Sequence, residues 1–243
     1  MTEPKPTLIV LDLDDTLYEY APCDAAGKAA VESYAMSELG IPADKFRDAA
    51  GSARERVKAR LGRSASSHSR LLYFHESLEL LGLGSEPRIA LEMEQTYWRS
   101  YLATSELREG AVDLLDTMRY NGVPIAIVTD LTAQIQLRKL VYLDIAQQVD
   151  HVVCSEETVG EKEGLAPFEL LAERVGEAAL STVWFVGDQD FDVPVDRLVE
   201  RGIIGSGLGF LLRAETGDTS ERVRRWDRLS DIEKVANESF SVA

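Results

Sequence analysis

At residues 8–17 the chain reads LIVLDLDDTL, an apolar run that leads into three closely spaced acids. Such a run is typical of a strand buried on both faces of a parallel sheet. Residues i and i+2 of an extended segment share a face, so Asp12 and Asp14 can point into one cavity while Leu13 packs away from it. Two carboxylates about 4 Å apart repel each other by roughly 4 kcal/mol at an effective dielectric constant of about 20. A dication at the end of this strand would remove that repulsion.

Four later apolar runs also predict strands. They are PIAIVTD at 124–130, HVVCS at 151–155, VWFVGD at 183–188 and GLGFLL at 207–212. Helical patterns separate the strands, and this alternation predicts an α/β fold, a Rossmann-like parallel sheet with helices on both faces. Ligands of such sheets bind at the carboxyl ends of the strands, where Asp12, Thr129 and Asp188 are expected to meet.

Residues 20–105 interrupt this alternation, because they contain several amphipathic helix patterns and no convincing strand. The first of these helices is predicted to end at Gly40, and residues 59–70 are expected to form a flexible connection. A segment of this length is too long for a loop of a compact domain. We therefore expect an all-helical unit inserted into a core built from residues 1–19 and 106–243.

The composition of the 243 residues excludes several classes of function. A net charge of −16 disfavours binding to nucleic acid, which needs clustered cations. The N-terminal stretch lacks the apolar core of a secretory signal, and no stretch approaches the roughly 18 apolar residues of a membrane span. Cys23 and Cys154 match no metal-binding spacing and are interpreted as free thiols. A cytoplasmic protein without membrane or nucleic-acid partners is expected.

The acidic strand ends predict a metal site. Oxygen ligands without nearby Cys or His favour a hard ion, and Mg²⁺ typically binds one or two carboxylates, waters and a phosphate oxygen. The metal candidates are Asp12, Asp14 and Asp188. The predicted cofactor is Mg²⁺ and the predicted partner is a small phosphorylated metabolite.

Four motifs in this order resemble those of the haloacid dehalogenase superfamily. They are DLDDTL at 12–17, Thr129 at the end of the second predicted strand, Lys162 before a helix, and GDQDFD at 187–192. The stretches at 70–83 and 155–162 are similar to members in which a helical cap follows the first motif. The resemblance implies that the helical unit, residues 20–105, is a cap domain.

By this resemblance, Asp12 would attack phosphorus and form an aspartyl-phosphate, which replaces one difficult step with two easier ones. Asp14 would protonate the departing alcohol and then take a proton from the hydrolytic water, with its side chain kept off the metal. The dehalogenases of the superfamily lack this second acid. The presence of Asp14 therefore favours phosphoryl transfer.

The resemblance also implies roles for the later motifs. Thr129 and Lys162 would hold the phosphoryl oxygens, and Asp188 would bind Mg²⁺ directly or through water. Asp192 would position Lys162 or a metal-bound water. One departure is Glu163, which follows Lys162 where the family often has Pro and puts the local loop shape in question.

We therefore predict a Mg²⁺-dependent phosphatase that hydrolyses a small cytosolic phosphomonoester through an aspartyl-phosphate. A phosphomutase acting on a sugar phosphate shares the same core chemistry, and a catalytically silent binding protein is a further alternative. A signalling receiver domain is disfavoured, because it keeps its acid pair and its phosphoacceptor on separate strands and has no such helical insertion. The sequence leaves the oligomeric state open.

Overall fold

The computed structural model describes residues 3–212 and 220–241, which belong to two compact units. The α/β unit consists of Met1–Glu19 and Glu106–Ala243, and the helical unit consists of Tyr20–Ser105. The helical unit thus occupies the residues expected of a cap, and its role as a cap stays a prediction.

The helical unit is built from four α-helices. They are α1 (Tyr20–Leu39), α2 (Ala43–Leu61), α3 (Arg70–Leu80) and α4 (Pro87–Thr104). Helix α1 ends beside Gly40, whose φ of +65° suits glycine, as predicted. The prediction of a flexible connection at 59–70 is wrong, because α2 continues to Leu61 and a 3₁₀ turn covers Ala65–His68. The Ser69 hydroxyl then caps α3 by accepting the Leu72 N–H.

A cation surrounded by aromatic rings lies in the core of the helical unit. The Arg70 guanidinium is within 5.6 Å of the ring centroids of Tyr73, Tyr97 and Trp98. It also lies 3.7 Å from a carboxylate oxygen of Asp24 on α1. The pairing compensates the cost of burying the Arg70 charge and connects α1, α3 and α4.

In the described part of the α/β unit, six strands form one parallel sheet. They are β1 (Leu8–Leu11), β2 (Ile125–Thr129), β3 (His151–Cys154), β4 (Thr182–Gly187), β5 (Ser206–Leu212) and β6 (Val223–Trp226). Their order is β3-β2-β1-β4-β5-β6, and every neighbouring pair is parallel. The predicted Rossmann-like α/β fold is confirmed. Strand β6 was missed in the sequence, because its Arg224 and Arg225 hide an edge strand behind charge.

Helices cover both faces of this sheet. They are α5 (Ala111–Tyr120), α6 (Ala133–Tyr142), α7 (Ala166–Val175), α8 (Val195–Glu200) and α9 (Leu229–Ser241). Leu8 and Val10 of β1 share one apolar core with Phe168 of α7 and Leu198 of α8. The alternate residues of β1 point to the opposite face, where α5 packs against α9. Within the described residues, no helix is both long and apolar enough to cross a membrane.

Candidate active site

The carboxyl ends of β1, β2 and β4 meet at one cleft of about 230 Å³. Strand β1 lies between β2 and β4, so the loops that follow these three strands leave the same edge of the sheet. The cleft is lined by Asp12, Asp14, Asp15, Thr129, Asp130, Lys162, Asp188, Gln189, Phe191 and Asp192. All six residues predicted for the site therefore lie together, although well over a hundred positions separate the first from the last.

Lys162 bonds both to Asp12 of the first sequence motif and to Asp192 of the last. Its Nζ donates to Asp12 Oδ1 and to Asp192 Oδ1, each at 2.5 Å. Burial alone would lower the pKa of Lys162, but the charges of Asp12 and Asp192 outweigh burial and raise it. Lys162 is therefore a buried cation, held beside the Asp12 carboxylate in spite of the Glu163 that follows it.

The loop that carries Lys162 is anchored from β2. The Asp130 Oδ1 accepts the backbone N–H of Lys162 at 3.1 Å, so the Asp130 side chain bonds to the Lys162 backbone. Leu165 adopts a left-handed φ of +73°, and Pro167 lies in the first turn of α7. These contacts place Lys162 in the cleft without a proline directly after it.

Asp12 is a buried carboxylate with one oxygen still available. Its side chain is 5% exposed, and no donor among the described residues reaches Oδ2. Burial, reinforced by Asp192 and Asp14 and opposed by Lys162, raises the pKa of Asp12 to about 7. A buried acceptor without a partner is costly, so the Oδ2 position favours a ligand that supplies positive charge or an electrophilic centre.

Three carboxylates can converge on a divalent metal in this cleft. One oxygen from each of Asp12, Asp188 and Asp192 lies within 4.8 Å of the others. Burial raises the pKa of Asp188 and of Asp192, as it does for Asp12. A dication would favour the charged form of all three, so these residues fit such an ion. The Asp14 side chain lies outside this group, and any contribution of Asp14 to the metal must come from another atom.

The Asp14 carboxylate is held by a buried network. Lys139 Nζ lies 2.5 Å from Oδ1 and 2.8 Å from Oδ2, Gln136 Nε2 donates to Oδ2 at 3.1 Å, and the Tyr18 hydroxyl donates to Oδ1. Burial would raise the pKa of Asp14, but the Lys139 charge and these hydrogen bonds outweigh burial and hold the pKa below its usual range. Asp14 is thus a carboxylate in this arrangement, the form that accepts a proton.

The residues of this network were missed in the sequence. Lys139 and Gln136 lie on the face of α6 that also buries Ile135 and Leu140. The sequence does contain a signal for Lys139 and Gln136. A charged and an amide side chain share the apolar face of the helix that follows a strand ending in the site, and such polar groups are buried only where they have partners.

The comparisons with known proteins agree with this geometry. A family model described as haloacid dehalogenase-like hydrolase matches residues 6–195. The chain is 40% identical, over 189 residues, to a ribulose-1,5-bisphosphate 5-phosphatase from Halopiger xanaduensis, and the match covers 77% of this chain and 79% of that relative.

Solved structures share the fold at low identity. The 2-haloacid dehalogenase from Pseudomonas syringae pv. Tomato has a TM-score of 0.68 at 16% identity, covering 96% of this chain and 98% of its own. The HAD-hydrolase YfnB from Bacillus subtilis, bound to magnesium, has a TM-score of 0.65 at 16% identity, and the match covers 96% of this chain and 99% of that chain. At this identity the similarity establishes the fold alone.

Proposed function

Because the chain belongs to the haloacid dehalogenase-like hydrolase family, we propose that it is a Mg²⁺-dependent phosphatase that acts on a sugar phosphate through an aspartyl-phosphate at Asp12. The family and the hydrolase activity predicted from the sequence are thus confirmed. The observation that carries the proposal is the Asp12 carboxylate, with Oδ1 bound to Lys162 and Oδ2 open among the described residues.

In the first step, a carboxylate oxygen of Asp12 forms a bond to phosphorus while the bond from phosphorus to the ester oxygen breaks. The departing alkoxide takes a proton from Asp14. Because Asp14 is ionised in the free site, it must first take up a proton from solvent when the phosphate dianion binds, an uptake that like-charge repulsion favours. In the second step, water attacks phosphorus, Asp14 takes the water proton, and the bond between Asp12 and phosphorus breaks. Inorganic phosphate leaves, the Asp12 carboxylate is restored, and Asp14 releases to solvent the proton that it took from water.

The remaining groups stabilise charge on the transferred phosphoryl group. The Thr129 hydroxyl and the Lys162 ammonium hold its oxygens, while Asp192 keeps Lys162 in place. Asp12, Asp188 and Asp192 would hold Mg²⁺, which supplies positive charge for the same oxygens.

A sugar bisphosphate is the proposed substrate class, with ribulose 1,5-bisphosphate the first compound to assay. The support is the relative that carries the name ribulose-1,5-bisphosphate 5-phosphatase, since the match to it spans more than three quarters of each chain. Phosphorus NMR of the product would identify the phosphate removed, and the release of inorganic phosphate separates a phosphatase from a phosphomutase.

The proposal is tested by phosphate release with Mg²⁺ and with EDTA, using Asp12→Asn as the isosteric variant. We expect Asp12→Asn to lose at least about 1,000-fold in kcat, because the amide is not a nucleophile. Asp190→Asn is the matched control, since Asp190 is exposed and does not line the cleft. Equal release by the wild type and Asp12→Asn would refute the assignment.

A further inference from the structure

Lys139 is a buried cation that contacts the Asp14 carboxylate. Its side chain is 0% exposed, and its Nζ is within hydrogen-bond distance of both oxygens of Asp14. Lys139 is not among the residues that line the cleft. It therefore contacts Asp14 from the protein side, away from the cleft where substrate would bind.

Lys139 restricts the rotation of the Asp14 carboxyl group. A carboxylate bonded through both oxygens cannot rotate about its terminal torsion without losing one of the bonds. Removing a lysine from water is unfavourable, and the pairing with Asp14 compensates for that cost. The burial of Lys139 thus depends on the same carboxylate that is proposed to transfer the proton.

Gln136 connects Asp14 to the phosphate-binding residue of the next strand. Its Nε2 lies 3.1 Å from Asp14 Oδ2, 2.6 Å from Thr129 Oγ1 and 2.8 Å from the Asp130 carbonyl oxygen. The carboxylate and the carbonyl carry no proton, so the amide nitrogen must face them. The Thr129 oxygen then accepts a shared N–H, which leaves its own O–H free to donate to a phosphoryl oxygen.

Gln136 and Lys139 are three positions apart on one face of α6, so a single helix supports both groups. We propose that Lys139 and Gln136 are positioning residues of the phosphatase reaction. Lys139 orients the Asp14 carboxyl group toward the leaving oxygen, and Gln136 fixes the position of that carboxyl group relative to the Thr129 hydroxyl. This inference rests on the proposed function and adds to it the residues that control proton transfer.

Lys139→Met tests this role by removing the charge at nearly constant length. The value of kcat/KM covers the steps up to departure of the alcohol, and a p-nitrophenyl leaving group needs little protonation there, whereas an alkyl alcohol needs it. We expect Lys139→Met to lower kcat/KM about 100-fold for an alkyl phosphate and at most about 5-fold for p-nitrophenyl phosphate. Arg138→Met, which removes an exposed cation from the same helix, should change neither value by more than about 2-fold.

Two further variants keep the test decisive if Lys139→Met folds poorly. Asp14→Asn/Lys139→Met removes both charges of the pair, so no buried carboxylate is left without its partner. If Lys139 acts through Asp14, the double variant is no slower than Asp14→Asn alone. Gln136→Met should also lower the alkyl value more than the aryl value.

The outcomes separate this inference from the proposed function. Equal losses for the two substrates after Lys139→Met, or a further 10-fold loss in the double variant relative to Asp14→Asn, would overturn the positioning role while the phosphatase proposal stands. A wild-type protein that releases no phosphate from either ester would overturn both. A selective loss for the alkyl ester, absent in Arg138→Met, supports the role.

Discussion

Replacing Gly187 by alanine is expected to disable the site, although Gly187 is neither a charged residue nor a proposed metal ligand. Gly187 ends β4, directly before Asp188, and a methyl group there would lie 2.7 Å from Cγ and Oδ2 of Asp192 and closer still to its Cβ. Carbon atoms in contact are normally about 3.5–4.0 Å apart, so the Asp192 side chain must move by at least about 1 Å, and the backbone of Asp192 must move with it because the nearest atom is Cβ.

That displacement breaks two hydrogen bonds. Asp192 holds the Lys162 ammonium through Oδ1 at 2.5 Å and the Gln189 N–H through Oδ2 at 2.9 Å. Since a misplacement of about 1 Å can cost about 100-fold in rate, we expect Gly187→Ala to lower kcat by about 100-fold. Overpacking should also lower the free energy of unfolding by about 1–3 kcal/mol.

The assay is phosphate release at saturating substrate, with urea unfolding to verify that the variant is folded. Gly164→Ala is the matched control, because Gly164 lies two residues after Lys162 and an added Cβ there has no atom within 4 Å among the described residues. A folded Gly187→Ala protein that keeps kcat within about 2-fold of the wild type would refute the reasoning, since the contact with Asp192 would then have no influence on Lys162.

The helical unit allows two more predictions. Gly27→Ala should destabilise it by about 1–3 kcal/mol, because the methyl would lie 2.7 Å from the Tyr97 ring, whereas Gly51→Ala, an open helical position, should stabilise it by about 0.5–1 kcal/mol. Urea unfolding checks these signs, and shifts in the same direction would contradict the packing argument. Burial would raise the pKa of Asp24, but the hydrogen bonds and positive charges around the Asp24 carboxylate outweigh burial and lower that pKa. Its stabilising contribution is therefore complete above the unfolded-state pKa of about 4 and is lost as the pH falls through the lower folded-state value. Asp24→Asn should thus cost about 1 kcal/mol at pH 7 and less below a pH of about 4, as measured by hydrogen exchange in α1 and α4; a difference that does not change with pH would count against this account.

The predicted fold and the six predicted site residues rest on local patterns. Buried parallel strands require continuous apolar runs, and the residue after each run must lie at the carboxyl edge of the sheet. For this reason Asp12, Thr129 and Asp188 could be placed together before their distances were known. Where local signals were ambiguous, the predictions were wrong or incomplete: the polar run at 59–70 is mostly helical, and β6 carries two arginines.

The sequence by itself determined which residues end the strands and that a helical unit is inserted after the first of them. The tertiary structure alone decided which side chains stand behind the acids. Lys139 lies 125 positions from Asp14, and its partner depends on the side of α6 that packs against the sheet. Periodicity shows that a helix buries one face, but the groups that lie opposite that face are set by the packing of distant segments. A charged side chain such as Lys139 can be buried only where that packing supplies a partner of opposite charge.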